Sequence, residues 1–229
     1  MATRCALYGK LPVKRDFIAE GVPRGFLPVW EPWLQGAISA SRLSIGARWP
    51  ELYLRAPIWR FWLGKSHCGA TVTGALMPSV DGIGRYFPLT LLAMAEEEQA
   101  FAPPSVDPQE AWYQMIEDFL LASLDDDLNF EAMTEALKGL APPAAIAEPA
   151  FPSGSRVLGD GMLLTTAAAE GGNLFEALGP ADAARVASTA TFWWTVGGEG
   201  FEPMVLSGHR LPDPGQFRGF LTGRFEAAS

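Results

Sequence analysis

Three polar residues in the chain have side-chain types that could support hydrolysis. Ser79 lies two residues before Asp81 in a loop that contains two glycines, and His209 is one of two histidines in the chain. A hydrolase of this kind needs a nucleophile, a base and an orienting carboxylate. The sequence has no Gly-x-Ser-x-Gly motif, and a local turn stabilised by Ser79 and Asp81 is the preferred interpretation. Hydrolysis by these three residues therefore remains an alternative function.

Metal ligands and nucleotide-binding loops have no recognisable motif. The thiols and imidazoles are those of Cys5, His67, Cys68 and His209, and they form neither a CxxC nor an HExxH motif. No GxxxxGK run followed by Ser or Thr occurs, and no GxGxxG run follows a predicted strand. We therefore expect no metal and no cofactor. An isolated pair of cysteines without a secretory signal favours two free thiols over a disulfide.

Aromatic and arginine side chains are dense in the first third of the chain. Seven aromatic residues lie between Trp30 and Trp62, with four arginines among them. This mixture is typical of protein interfaces. A strand, however, would place Trp59 and Phe61 on one face and Arg60 and Trp62 on the other, so that one set fills the core. We expect the tryptophans of this strand to be buried.

The order of the strand and helix signals predicts an α+β fold. Strands arrive in pairs with tight loops and are followed by groups of helices, which favours a mainly antiparallel central sheet covered by helices over a Rossmann-like alternation. We expect one domain over 1–229, with a helical excursion around residues 96–150 as a possible subdomain. The main strands are expected over residues 4–9, 52–63, 71–77, 88–94 and 189–196.

Two amphipathic segments give the strongest helix signals. One helix is expected over residues 31–49, where apolar residues recur with helical spacing. Another is expected to begin after Asp107, a residue type that caps helices, and to end near Leu124. On this second helix, Glu117 and Asp118 are expected to point away from the apolar face.

Charge is distributed unevenly along a chain whose net charge is -9. Residues 1–90 hold 11 basic and 5 acidic residues, a net charge of +6, whereas residues 91–229 hold 6 and 21, a net charge of -15. Residues 91–135 contain 12 acidic residues and no basic one. This layout argues against nucleic-acid binding, which needs basic patches. It favours solvated acidic helix faces over an acidic docking site for a basic protein.

The sequence offers no segment for insertion into a membrane. A spanning helix needs about 20 predominantly apolar residues, and no such stretch occurs. Lys10, Lys14, Arg15 and Asp16 lie where a secretory signal would be apolar. We therefore expect a cytoplasmic protein that does not insert directly into a membrane.

Several rare strings occur in a fixed order along the chain. They are YGKLP at 8–12, RDF at 15–17, PVW at 28–30, APIWRF at 56–61, PSVDGIGRYFPLT at 78–90 and FWWT at 192–195. Together they resemble the TagF (ImpM) family of type VI secretion system-associated proteins. The resemblance is dense from residue 5 to about residue 95 and thin beyond it.

The resemblance implies a cytoplasmic protein without catalytic activity that represses type VI secretion after translation. It also implies a partner, the forkhead-associated (FHA) scaffold protein of the secretion machine. A structural subunit of that machine is a further alternative. The positions that match the family's motifs, and that are therefore candidates for partner contact, are Lys10, Arg15, Asp16, Trp59, Arg60, Ser79, Asp81, Gly84 and Arg85.

Two roles are open for the loop over residues 78–85. Its glycines allow positive φ angles, so that Arg85 can form an ion pair with Asp81 or Asp16. This structural role is the preferred interpretation of Asp81 and Arg85. In the alternative, the loop and Arg85 face the surface of a partner.

Overall fold

The computed structural model describes residues 3–125, 127–158, 161–165 and 174–226. Eleven strands and seven α-helices lie within these residues. The strands are β1 (Cys5–Gly9), β2 (Ile18–Glu20), β3 (Trp59–Leu63), β4 (Val72–Met77), β5 (Leu89–Met94), β6 (Gln99–Phe101), β7 (Ala145–Ala147), β8 (Arg156–Leu158), β9 (Gly161–Leu163), β10 (Thr191–Thr195) and β11 (Met204–Gly208). The helices are α1 (Leu27–Ile45), α2 (Trp49–Arg55), α3 (Lys65–Cys68), α4 (Glu110–Ala122), α5 (Phe130–Gly139), α6 (Leu178–Thr189) and α7 (Phe217–Thr222).

A seven-stranded sheet forms the centre of the fold. Its strand order is β11-β10-β3-β4-β5-β1-β2, and every neighbouring pair is antiparallel. The strands β6 and β7 form a separate pair, as do β8 and β9. The structure therefore confirms the predicted α+β fold with a mainly antiparallel sheet.

One face of the sheet is covered by α1, α2 and α7. Alternation along β3 places Trp59 and Phe61 on this face, in one apolar cluster with the α1 residues Trp30 and Leu34. Trp62 belongs to the cluster on the opposite face. The expected alternation and the burial of the strand tryptophans are both confirmed.

The opposite face of the sheet is covered by α4 and α5. Ile116 and Leu120 of α4 and Leu137 of α5 join Trp62 and Leu91 of the sheet in the second apolar cluster. The segment around 96–150 is thus helical, as expected, and the short pair of β6 and β7 lies at its two ends. None of the helices in the described parts of the chain is long and apolar enough to cross a membrane.

Two of the predicted elements near residue 50 are present with different bounds. The helix expected over 31–49 spans Leu27–Ile45 and ends at Gly46, whose φ of +70° favours glycine. The strand expected over 52–63 begins at Trp59, because α2 occupies the preceding residues. Trp49 and Tyr53 have the i, i+4 spacing of a helix, and both rings are buried and stacked on each other.

The start and the orientation of α4 also differ from the prediction. The helix begins at Glu110, and the residue before it, Gln109, is left-handed with φ +46°. Asp107 is not the cap of the helix; its Oδ1 accepts a hydrogen bond from the Gln109 backbone N at 3.1 Å. Glu117 was expected to point away from the apolar face, but it is buried against the sheet. Asp118 is exposed, as expected.

Candidate functional site

The buried carboxylate of Asp81 lies at the centre of the loop over residues 78–85, which we call the motif loop. Its Oδ2 accepts hydrogen bonds from Lys10 Nζ and from Arg85 Nε, each at 2.6 Å. Its Oδ1 accepts from the backbone N of Ile83 at 3.1 Å and of Arg85 at 2.8 Å. The Asp81 side chain has an exposed fraction of 0%. Four donors therefore satisfy a carboxylate that is fully removed from solvent.

The strand order explains why Lys10 meets Asp81. Both β1 and β4 are antiparallel to β5, so β1 and β4 run in the same direction and end at the same edge of the sheet. Lys10 directly follows β1, and the motif loop directly follows β4. The antiparallel sheet thus brings together Lys10 and Asp81, which are 71 positions apart in the sequence.

Ser79 also binds the segment that follows β1. Its hydroxyl donates to the Lys10 carbonyl oxygen at 2.7 Å. Its backbone N donates to the Tyr53 hydroxyl at 3.1 Å, and that hydroxyl donates to the Ser79 carbonyl oxygen at 3.1 Å. Burial raises the pKa of Tyr53 above its ordinary value, so the hydroxyl stays protonated and can donate. The Ser79 side chain is buried and hydrogen-bonded.

Residues 10–17, which we call the motif turn, are bound to the motif loop by further contacts. The Gly82 backbone N donates to the Lys14 carbonyl oxygen at 2.9 Å, and Arg85 Nη2 donates to the Arg15 carbonyl oxygen. The Arg85 side chain remains 54% exposed. Arg15 and Asp16 are exposed as well. The motif turn and the motif loop thus form one continuous surface, which we call the motif surface, with a buried ionic centre.

Electrostatics keep the Asp81 carboxylate charged. Burial alone would raise the pKa of Asp81, but the hydrogen bonds from Lys10 and Arg85 outweigh it. The pKa of Asp81 is therefore held well below its usual range. The ion pair between Asp81 and Arg85 matches the structural role that the sequence favoured.

The motif residues Trp59 and Arg60 lie away from this surface. Trp59 Nε1 donates to the Phe220 carbonyl oxygen at 3.0 Å, which attaches α7 to the sheet. On the opposite face of β3, Arg60 Nε and Nη2 donate to the Glu117 carboxylate at 2.6 and 3.0 Å. Arg60 Nη1 donates to Glu110 Oε2 at 2.7 Å. Both motif residues are buried and hold helices against the sheet.

The nine candidate positions therefore divide into two groups. The first group belongs to the motif turn and motif loop, where Gly84 takes a φ of +81°. The second lies in the interior. In the first group Arg15, Asp16, Gly84 and Arg85 are exposed, whereas Lys10, Ser79 and Asp81 are buried beneath them; the interior pair is Trp59 and Arg60.

The sequence analysis did not predict the two ion-pair partners of Arg60, which are Glu117 and Glu110. Burial would lower the pKa of Arg60, but the hydrogen bonds that it donates to Glu117 and Glu110 raise the pKa above its ordinary value. The signal that could have found them is the strand alternation, since it sends Arg60 to a buried face. A buried arginine needs a carboxylate on the element that covers it.

The three residues of the hydrolase alternative do not meet. His209 follows Gly208 at the end of β11. Across the sheet, Gly208 pairs with Thr191, Thr191 pairs with Leu63, and Leu63 pairs with Val72 at the start of β4. Ser79 and Asp81 follow the end of β4. They therefore lie at the other end of the sheet from His209.

The cysteines and the carboxylates show no reactive arrangement in the described residues. Cys5 and Cys68 are free thiols, as expected, and both are buried; burial raises the pKa of each thiol to about 11. Both thiols are thus protonated near neutral pH. No group of three or more His, Cys, Asp or Glu side chains in the described ranges is placed to hold a metal ion.

Comparison with known proteins identifies the family. The family model for the TagF N-terminal domain, type VI secretion system-associated, matches residues 6–140, which is more than half of the chain. A solved structure, that of PA0076 from Pseudomonas aeruginosa PAO1, has a TM-score of 0.78 and 28% sequence identity, and the match covers 98% of this chain and 97% of that one. No curated protein matches the chain significantly. The chain belongs to the TagF family of type VI secretion system-associated proteins.

Proposed function

We propose that this protein represses type VI secretion after translation by binding a protein of the secretion machinery in the cytoplasm, without catalysing a reaction. Family membership supports the link to type VI secretion. The observation that supports binding is the surface formed by the motif turn and the motif loop. Most of the family's motif positions are used to order this exposed surface rather than to line a cleft.

The chemistry of this surface is suited to a protein partner. Arginine and aromatic side chains are enriched among the residues that dominate binding energy. Arg15, Phe17, Ile83 and Arg85 are all exposed here. The bonds to Asp81 and to the Lys14 carbonyl oxygen order the backbone before binding, which reduces the entropy lost on association.

The absence of catalysis is part of the same proposal. The Ser79 hydroxyl is occupied by the Lys10 carbonyl oxygen, and the Asp81 carboxylate by two cations. A serine nucleophile must reach a substrate and pass its proton to a base, whereas Ser79 is buried and its hydroxyl donates a hydrogen bond to a carbonyl oxygen. A general base needs a free lone pair, and the Asp81 oxygens accept four hydrogen bonds. These contacts favour a structural role for both side chains.

The proposed partner is the forkhead-associated scaffold protein of the secretion system. Resemblance to the family supports this choice. The test is capture of purified scaffold protein by the immobilised full chain, compared with a variant that combines Arg15→Glu and Ile83→Ser. Both side chains are exposed, so we expect the variant to fold and to lose most of the capture. An Arg185→Glu variant, changed on α6 away from the motif surface, is the matched control.

Secretion by a strain that lacks the gene tests repression itself. We expect the deletion to increase the amount of secreted effector, and the intact gene to restore the lower level. The Arg15→Glu, Ile83→Ser variant should fail to restore it. Unchanged secretion after deletion would contradict repression, whereas unchanged capture by the variant would contradict only the assigned surface. A structural subunit would instead remain with the assembled machine at fixed stoichiometry.

A further inference from the structure

A groove lined by four arginines lies on the side of the molecule formed by α2 and α7. Arg48 belongs to the 3-10 turn after α1, Arg55 ends α2, Arg218 lies in α7 and Arg224 follows that helix. We call it the arginine groove. Its volume of about 440 Å³ falls within the range of small-ligand sites. It shares no lining residue with the motif turn or the motif loop.

Packed elements hold these arginines together. The helix α7 packs on both α1 and α2, and Trp59 attaches it to the sheet through the Phe220 carbonyl oxygen. Phe201, from the β10–β11 connection, and Leu221, from α7, add apolar surface to the groove. An anion in the groove would therefore lie beside apolar surface as well as beside the exposed guanidinium groups.

The charge of the groove is unusual for this chain. Four of the 17 Lys and Arg residues line one groove in a protein with a net charge of -9. Such cations repel one another, and Glu199 is the one acidic residue among the lining side chains. A ligand with several negative charges would relieve this repulsion.

The acidic residues beside the groove are easily displaced. Arg55 Nη1 lies 3.9 Å from Glu51 Oε1, and both side chains are more than half exposed. Arg218 Nη1 lies 2.9 Å from Glu226 Oε1, and the Glu226 side chain is 84% exposed. Exposed ion pairs contribute little to stability. An incoming anion can therefore replace them at small cost.

We propose that the arginine groove binds a multivalent oxyanion, a small ligand that carries phosphate or carboxylate groups. Guanidinium groups bind both kinds of oxyanion through paired hydrogen bonds. The site is separate from the motif surface and does not depend on the proposed repression. Phosphate and carboxylate ligands share this recognition chemistry, and the choice of probe separates them.

The test is calorimetric titration of the full chain with sodium pyrophosphate and, separately, with sodium citrate at low ionic strength. We expect saturable binding of at least one probe at one site per chain, weakened by added salt. Replacing two groove arginines, Arg48→Gln with Arg218→Gln, should raise the Kd about tenfold or more. The control Arg185→Gln, on α6 where the arginine pairs with Asp182, should change the Kd less than about twofold.

The outcomes distinguish phosphate from carboxylate ligands and also show whether the groove binds an oxyanion at all. Binding of pyrophosphate alone assigns phosphate, and comparable binding of citrate extends the class to carboxylates. A variant with Arg48→Lys and Arg218→Lys keeps the charge but loses the paired geometry, so its Kd should lie between those of the native and glutamine proteins. Circular dichroism establishes that each variant is folded. Absence of saturable binding by both probes, or an unchanged Kd in the folded glutamine variant, would overturn the proposal.

Discussion

Among single residues of the motif surface, Asp81 joins the motif loop to the motif turn, because it pairs with both Lys10 and Arg85. Replacing it by asparagine removes the charge that Lys10 and Arg85 share and leaves the buried Lys10 ammonium without its carboxylate. We expect Asp81→Asn to lower the free energy of unfolding by about 3 kcal/mol or more, as measured by urea denaturation. Asp16→Asn, a change of the same type at an exposed position, should stay within about 0.5 kcal/mol.

The stability difference between the native protein and Asp81→Asn should depend on pH, and the pKa of Asp81 predicts the sign of that dependence. Because the folded-state pKa of Asp81 is depressed, its ionisation stabilises the fold above the unfolded-state pKa of about 3.9. That stabilisation is lost as the pH falls through this value toward the folded-state pKa. The difference in Tm between the native protein and Asp81→Asn should therefore shrink between about pH 5 and pH 2. A constant difference over this range would contradict a charged Asp81.

The motif residues also show what local sequence information can predict. The pair of Asp81 and Arg85 could be predicted, because only three residues separate them and two of these are glycines that allow the chain to turn. The contact of Lys10 with Asp81 could not, since it depends on the order of the strands. Glu117 was assigned to solvent because nothing near it in sequence indicates a buried cation. Its partner Arg60 lies 57 residues away.

At the scale of elements, the contact of Glu117 with Arg60 holds α4 on the sheet. The Glu117 side chain is 8% exposed, whereas that of Glu110, the second carboxylate on Arg60, is 62% exposed. We expect Glu117→Ala to lower the free energy of unfolding by about 3 kcal/mol or more, since it uncouples a buried charge. Glu110→Ala should cost no more than about 1 kcal/mol. Equal losses in urea denaturation would contradict this division.

Two glycines provide a second test at this scale, with opposite signs for one substitution. A Cβ at Gly74 in β4 would lie 2.2 Å from the Leu91 carbonyl oxygen and 2.8 Å from Phe61 Cζ. Gly74→Ala should therefore destabilise the sheet by about 3 kcal/mol. At Gly139, which ends α5, nothing lies within 4 Å of an added Cβ. Gly139→Ala should raise the free energy of unfolding by about 0.5 kcal/mol and raise the Tm slightly. A lower free energy of unfolding in this variant would contradict the α5 geometry.

The elements that the sequence predicted well are those with a long, regular pattern. The strands β1, β4 and β5 were expected at nearly their observed positions, because continuous apolar runs between turn residues mark buried strands. The start of the strand expected over 52–63 was predicted wrongly, because α2 extends to Arg55. Aromatic residues are favoured in strands, but here they also form the buried face of α2. The pair of β6 and β7 has three residues in each strand, too few for a periodic signal.

At the scale of the whole molecule, the helices α4 and α5 and the motif surface come from parts of the chain with opposite net charge. The helices α4 and α5, which cover one face, lie in the acidic part of the chain, and Asp125 and Asp127 between them are exposed. The motif surface belongs to residues 1–90, whose net charge is +6. A partner could therefore be attracted to either region by electrostatics, and the two regions would select partners of opposite charge.

The proposed function places the contact on the motif surface, and charge reversal can test this choice. An Asp125→Lys, Asp127→Lys variant changes only exposed side chains, so we expect it to capture the scaffold protein within about twofold of the native level. The Arg15→Glu, Ile83→Ser variant should lose capture under the same conditions. Both are compared at low and at physiological salt, because screening weakens long-range attraction. Loss of capture by the aspartate variant, with the motif variant unaffected, would instead assign the docking site to the acidic connection between α4 and α5.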